Sequence, residues 1–107
     1  MMGCPVRNPS GEDLGTLEEI RIDLEYGCIA YAVLTFGGFL GMGNKLFAIP
    51  WEALTWDAQA KEFVLDVDKE LLQSAPGFDK DLWPDFADRT WAGELHEYYG
   101  RPPYWNS

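Results

Sequence analysis

The sequence predicts a mainly β fold, a small β-barrel built as a meander of about six short strands, with a helical C-terminal extension. Three features indicate this fold. Apolar and polar residues alternate in short runs, turn-forming residues separate the runs, and a helical pattern replaces them in the last third of the chain. We expect the meander to close on itself, because closure removes exposed sheet edges. The chain is therefore divided into a barrel, residues 1–75, and an extension, residues 76–107.

The first hairpin is the clearest local feature of the barrel. Ile20, Ile22 and Leu24 alternate with charged residues, which predicts a strand with one solvated face. Residues 29–36, the second strand, are apolar on both faces, and the short Ala residues on one side would let another element pack closely. Gly27 lies between the two runs and can take the positive φ angle that a tight turn requires.

The later barrel segments are also short. Residues 45–49, 51–56 and 62–67 are predicted to be strands, with a tight turn at residues 57–60. Pro50 is expected to end or bend the first of these strands, because proline has no amide hydrogen.

The extension has a different pattern. Residues 69–74, just before it, suit one or two helical turns, and Asp85 is expected to cap a helix that runs to about Tyr99 and ends at Gly100. Aromatic residues are concentrated here: Trp83, Phe86, Trp91, Tyr98, Tyr99, Tyr104 and Trp105. This aromatic stripe needs an apolar surface to cover it, either on its own barrel or on the barrel of a neighbouring subunit.

Composition restricts the possible partners. The 107 residues include 18 Asp and Glu against 8 Lys and Arg, a net charge of −10, and 47% are hydrophobic, which excludes a disordered acidic tail. This charge disfavours direct nucleic-acid binding and docking on anionic membranes. No apolar run approaches the roughly 20 residues that span a bilayer. No export signal is visible, so we expect a cytoplasmic protein without membrane insertion, with Cys4 and Cys28 as reduced thiols.

Three segments resemble the PRC-barrel family. Residues 6–20, VRNPSGEDLGTLEEI, resemble its opening pattern V-x-N-x-x-G-E-x-L-G-x-I-x-D. Residues 29–34 resemble its second hairpin strand, and residues 45–54, KLFAIPWEAL, resemble its A-I-P-W-x-x-L segment. The resemblance spans roughly residues 3 to 70. It implies a small barrel that works by binding other proteins, and it does not imply an enzyme.

The family also includes the cytoplasmic barrel of the photosynthetic reaction-centre H subunit and the C-terminal domain of a ribosome-maturation factor. The sequence shows neither the membrane helix of the former nor the N-terminal domain of the latter, so neither role carries over directly. Two alternatives remain open. One is an accessory factor for assembling photosynthetic or other electron-transfer complexes. The other is a ribosome or RNA-processing adaptor that acts through protein contacts.

Catalytic and cofactor motifs are not apparent. The glycines of residues 37–43 do not precede a helix, and Lys45 is followed by Leu46 rather than Ser or Thr, so no phosphate-binding loop is indicated. His96 is the single histidine and is expected to be an exposed helix residue. Paired carboxylates such as Asp66 and Asp68 are expected on a solvated face. We therefore expect no cofactor, no metal site and no enzymatic activity, unless a deep pocket gathers carboxylates with His96.

The candidate contact residues lie in two segments. Phe39, Leu40 and Met42 are at the tip of the glycine-rich loop, where they either fold back on the barrel or bury against a partner, including a second copy of this chain. Trp91, Tyr98 and Trp105 are the candidates from the extension, since aromatic residues anchor protein interfaces. We expect a protein-interaction module or scaffold that forms a homodimer.

Overall fold

The computed structural model describes residues 3–35, 45–75, 77–79, 82–103 and 105. It contains seven strands, β1 (Pro5–Arg7), β2 (Asp13–Asp23), β3 (Cys28–Thr35), β4 (Lys45–Pro50), β5 (Leu54–Asp57), β6 (Glu62–Leu65) and β7 (Phe78–Asp79). A 3₁₀ turn covers Trp51–Ala53, and the helices are α1 (Lys69–Gln73) and α2 (Arg89–Tyr98). The mainly β fold with a helix near the C-terminus is confirmed.

The strand order is β5-β6-β1-β2-β3-β4-β7. Strands β1 to β4 form the predicted antiparallel meander, but β5 does not pair with β4. The chain instead crosses to the far side of the sheet, where the β5–β6 hairpin joins through parallel pairing of β6 with β1. In the described part of the chain β5 and β7 are the two edges, so backbone hydrogen bonds do not close the expected barrel there.

The turn between β1 and β2 is built around Asn8, which is only 2% exposed. Its side-chain amide donates to Glu12 Oε1 at 2.8 Å and to the carbonyl of Val67 at 3.2 Å. Its side-chain oxygen accepts from the Glu12 amide at 2.9 Å, and Gly11 adopts a φ of 91°. This turn therefore also connects β1 to the chain after β6.

Ion pairs make a second connection between β1 and the β5–β6 hairpin. Arg7 Nη2 lies 2.7 Å from Asp57 Oδ2, and Arg7 Nε donates to Glu62. The amides of Ala60 and Gln59 and the charge of Arg7 together hold the pKa of Asp57 below its usual value. These contacts stabilise the one parallel strand pair among the described strands.

Strand β3 is buried on both faces, as its apolar sequence predicts. One face, with Ala32 and Leu34, contributes to the main core together with Phe47 and Ile49 of β4. The opposite face carries Tyr31, and this face is covered by the C-terminal extension. Residues of both faces belong to one buried cluster, to which helix α2 contributes Ala92 and Leu95.

The start of β5 and the cap of α2 differ from the sequence prediction. The predicted strand at residues 51–56 begins only at Leu54, since a 3₁₀ turn follows Pro50. Helix α2 is capped by Asp88, whose Oδ1 accepts from the amides of Thr90 at 3.0 Å and Trp91 at 3.4 Å. The expected cap, Asp85, instead stabilises the preceding turn by accepting from the Ala87 amide. Several Asp residues in this segment are chemically able to cap, so the sequence leaves the choice open.

Candidate interaction site

The tip of the β2–β3 hairpin exposes three large apolar side chains. Ile22 is 62% exposed, Leu24 is 90% exposed and Tyr26 is 51% exposed. The alternation in this strand predicted a buried apolar face, and that is wrong for Ile22 and Leu24. The ladder shifts register between Arg21 and Ile22. A bulge of this kind bends the strand locally, and beyond it Ile22 and Leu24 are not covered by the core.

The tip has a defined conformation. Asp23 Oδ1 accepts from the amides of Glu25 at 2.9 Å and Tyr26 at 3.1 Å. Gly27 takes a φ of 64°, as its position in the turn predicts, and its amide donates to the carbonyl of Asp23 at 2.8 Å. Leu24 therefore lies at the start of a turn with a defined hydrogen-bond pattern.

A cleft of about 440 Å³ lies beside this tip, between the hairpin and the start of α2. Both charge signs are present in its wall, together with apolar and aromatic surface. Its lining residues are Arg21, Ile22, Asp23, Leu24, Glu25, Ala30, Tyr31, Phe86, Ala87 and Arg89. The cleft is therefore suited to a ligand that is itself partly apolar and partly charged.

Arg21 forms one wall of the cleft. Its guanidinium carbon lies 4.6 Å from the centroid of the Trp83 ring and 5.0 Å from that of Phe86. Its Nε lies 3.3 Å from Glu19 Oε1. Stacking on two aromatic rings of the extension fixes the orientation of a strand residue that would otherwise extend into solvent.

Arg89, the first residue of α2, connects the other wall to the hairpin. Its guanidinium carbon lies 4.2 Å from the Trp105 ring centroid and 5.6 Å from that of Tyr26. Its Nη2 lies 3.8 Å from Asp23 Oδ2. The two arginines therefore join the barrel hairpin and the extension into one surface.

The three extension residues predicted as contacts all lie half-buried on the same chain. Trp91 packs edge-on against Tyr31 and Phe86, with ring centroids 5.8 and 5.0 Å away. The hydroxyl of Tyr98 donates to the carbonyl of Leu71 at 2.6 Å, and Trp105 packs against α2. The described part of the extension thus covers its own sheet, and a contact role for these three aromatics stays a prediction.

The loop residues predicted as contacts, Phe39, Leu40 and Met42, lie outside the described residues. The hairpin-tip residues were not among the predicted contacts. One sequence signal could have found Leu24: it is a large apolar residue directly before the turn at residues 25–27, where neighbouring strands cannot cover it.

His96 is buried, which corrects the expectation of an exposed helix residue. It is 2% exposed, its Nε2 lies 3.2 Å from the Tyr31 hydroxyl, and its ring packs edge-on against Trp105 at 5.5 Å. Burial lowers the pKa of His96, while the negative charge of Glu52 acts in the opposite direction. The helix turns His96 towards the sheet together with Leu95, and the aromatic cluster covers it.

The carboxylates of the described cleft are not gathered around this histidine. The cleft at the hairpin tip contains Asp23 and Glu25, but His96 does not line it. Across the described ranges, no group of three or more His, Cys, Asp or Glu side chains is placed to hold a metal ion. Cys4 and Cys28 are free thiols.

The PRC-barrel domain matches residues 1–72, which is well over half of the chain. This chain belongs to the PRC-barrel family. A search of curated proteins found no match. Within the part of the chain that the structure describes, no helix has the length and apolar character needed to cross a membrane.

The candidate site is formed by residues on both sides of the end of the PRC-barrel match at residue 72. The hairpin that carries Arg21 and Leu24 lies within the PRC-barrel segment, whereas Phe86 and Arg89 follow it in the extension. This PRC-barrel protein therefore forms its cleft from a family element and from a segment outside the matched domain.

Proposed function

We propose that this PRC-barrel protein is a non-enzymatic protein-interaction module that self-associates. The observation that carries the proposal is the exposure of Ile22, Leu24 and Tyr26 on one ordered hairpin. Large apolar side chains grouped in this way are stabilised when association removes them from water. The remaining exposed large apolar residues that the structure describes, Trp56, Leu71 and Leu82, lie on different elements.

The chemistry of the surrounding residues supports binding rather than catalysis. Asp23 accepts two turn amides and faces Arg89, and Arg21 stacks on two rings beside Glu19. These groups organise the surface. The net charge of −10 also favours a protein partner over a nucleic acid, because phosphate binding requires clustered Lys and Arg.

The experiment is size-exclusion chromatography with multi-angle light scattering on the full chain, over a dilution series at 150 mM salt. We expect the mass to rise from that of the 12.1 kDa protomer towards twice that value as the concentration increases. A constant monomer mass up to several hundred micromolar would contradict self-association.

A further inference from the structure

We infer that a second copy of this chain occupies the cleft beside the hairpin tip, with Leu24 of each copy packed against the cleft of the other. The inference rests on the self-association proposed above and names the surface that performs it. The two copies would be related by a two-fold axis, so that the same patch serves both sides of the interface.

The first argument is the composition of the patch. The apolar tip and the apolar part of the cleft wall, Ala30, Tyr31 and Phe86, are neighbours on one surface. Leu24 lines the cleft and is also the most exposed large apolar residue described, at 90%. Because the exposed apolar residue and the apolar recess are on the same surface, a two-fold contact packs the residue of each copy against the recess of the other.

The second argument is charge complementarity within the same patch. Two of the few basic residues of this acidic chain, Arg21 and Arg89, line the cleft, while Glu25 is exposed at the tip. In the two-fold arrangement Glu25 of each copy faces Arg89 of the other copy, whose guanidinium also lies 3.8 Å from Asp23 of its own chain. An unrelated partner would have to supply the same combination of apolar, acidic and basic groups, whereas a second copy already has it.

The net charge of −10 opposes association of identical copies at long range. At 0.15 M ionic strength the Debye length is about 8 Å, so repulsion between distant surface charges is largely screened. Charge pairs inside a contact are screened much less. We therefore expect the dimer to be weakest at low salt.

The size of the patch sets the expected affinity. A standard interface buries about 800 Å² per partner, which three side chains alone do not supply, so the cleft wall must also be covered. Because the patch is small, we expect a dimer at the weak end of specific interfaces that dissociates on dilution through the micromolar range.

The test compares two substitutions of exposed leucines. Leu24→Asp places a charge on the apex of the patch, whereas Leu82→Asp changes an equally apolar residue that is 74% exposed and does not line the cleft. We expect Leu24→Asp to raise the dimer dissociation constant at least tenfold and Leu82→Asp to leave it unchanged. Circular dichroism and the thermal midpoint check that both variants remain folded.

A charge-swap experiment tests the two-fold geometry. Glu25→Arg and Arg89→Glu should each weaken their own homodimer, because each creates like-charge contacts across the axis. Mixed together, the two variants should associate more tightly than either alone, since both cross-contacts then join opposite charges. A mixture no tighter than the separate variants would contradict this pairing and overturn the inference.

The outcomes separate the inference from the proposed function. A dimer that Leu24→Asp leaves intact overturns the assignment to this surface, while self-association through another surface stands. A monomeric wild type overturns both. A wild type that stays monomeric but loses a different bound protein on Leu24→Asp also overturns the second copy as occupant.

Discussion

Replacing Trp91 by alanine tests whether the C-terminal extension stabilises the PRC-barrel or only lies beside it. Trp91 is on α2, and its ring contacts Tyr31 of β3 and Phe86 of the segment before the helix. The substitution removes the centre of this aromatic contact, through which the extension packs against the core residue Tyr31. If the extension is an integral part of the fold, its loss should lower the stability of the whole chain.

The structure sets the size of the effect. Truncating a fully buried Phe or Trp to Ala costs about 3–5 kcal/mol, and Trp91 is only half-buried, so we expect about 2 kcal/mol. For a domain of this size, 1 kcal/mol corresponds to a shift of roughly 4–8 °C in Tm. Trp91→Ala should therefore lower Tm by about 10 °C.

The assay is thermal and urea denaturation of the wild type, Trp91→Ala and the control Leu82→Ala, with hydrogen exchange of the α2 amides as a second readout. Leu82 lies in the same extension but is mostly exposed, so its substitution should change stability by less than about 0.5 kcal/mol. Unchanged Tm together with unchanged exchange of the α2 amides in Trp91→Ala would refute the view that the extension is docked on the sheet. Faster α2 exchange without a change in Tm would instead show that the extension is docked on the sheet but does not stabilise the whole chain.

Two further substitutions test buried polar groups. Asn8→Asp keeps the shape of the side chain but loses both amide donations and places a carboxylate beside Glu12. We therefore expect urea denaturation to show a loss of about 2 kcal/mol or more in the free energy of unfolding. Ser10→Asp, at an exposed position in the same turn, is the control and should change it little. A small effect of Asn8→Asp, similar to that of Ser10→Asp, would show that this network contributes little. Because burial lowers the pKa of folded His96, the unfolded chain binds the proton more readily, and stability should decrease as the pH falls below the ordinary value of 6.5. His96→Gln should remove that part of the slope in denaturation between pH 7.5 and 5, and identical slopes for the two proteins would be inconsistent with a buried neutral histidine.

The extension has a physical role that the PRC-barrel match alone does not describe. Residues beyond 72 supply the aromatic surface that covers one face of β3 and β4, and Phe78 and Asp79 add a short strand beside β4. The Tyr99 hydroxyl is also buried there, and burial raises its pKa. The barrel sequence and the extension therefore share one hydrophobic interior.

Much of the local structure could be predicted from the sequence. The turn at residues 8–11, the positive φ of Gly27 and the first hairpin follow from preferences that act between neighbouring residues. The apolar character of both faces of the strand at residues 29–36 was also visible, as were the short Ala residues that allow close packing on one side. The PRC-barrel family was also identifiable, because its motifs are short and occur at fixed spacing.

The candidate site was less predictable. Aromatic enrichment led to Trp91, Tyr98 and Trp105, yet most of that apolar surface is directed towards the chain's own sheet. Leu24 was assigned to the regular alternation of its strand, but the register shift after Arg21 carries it beyond the core. Composition shows which side chains are apolar enough to favour burial, but it does not show which of them are buried in the folded chain.

By itself, the sequence determined the strand-rich barrel segment, its family, its main turns and its acidic charge, since each depends on local pattern or on simple counting. Only the tertiary structure decided that β6 pairs with β1, that His96 is buried and that Leu24 is exposed. The physical reason is that periodicity defines which residues share a face, whereas burial depends on what distant part of the chain covers that face. For this protein, that distant part is the C-terminal extension.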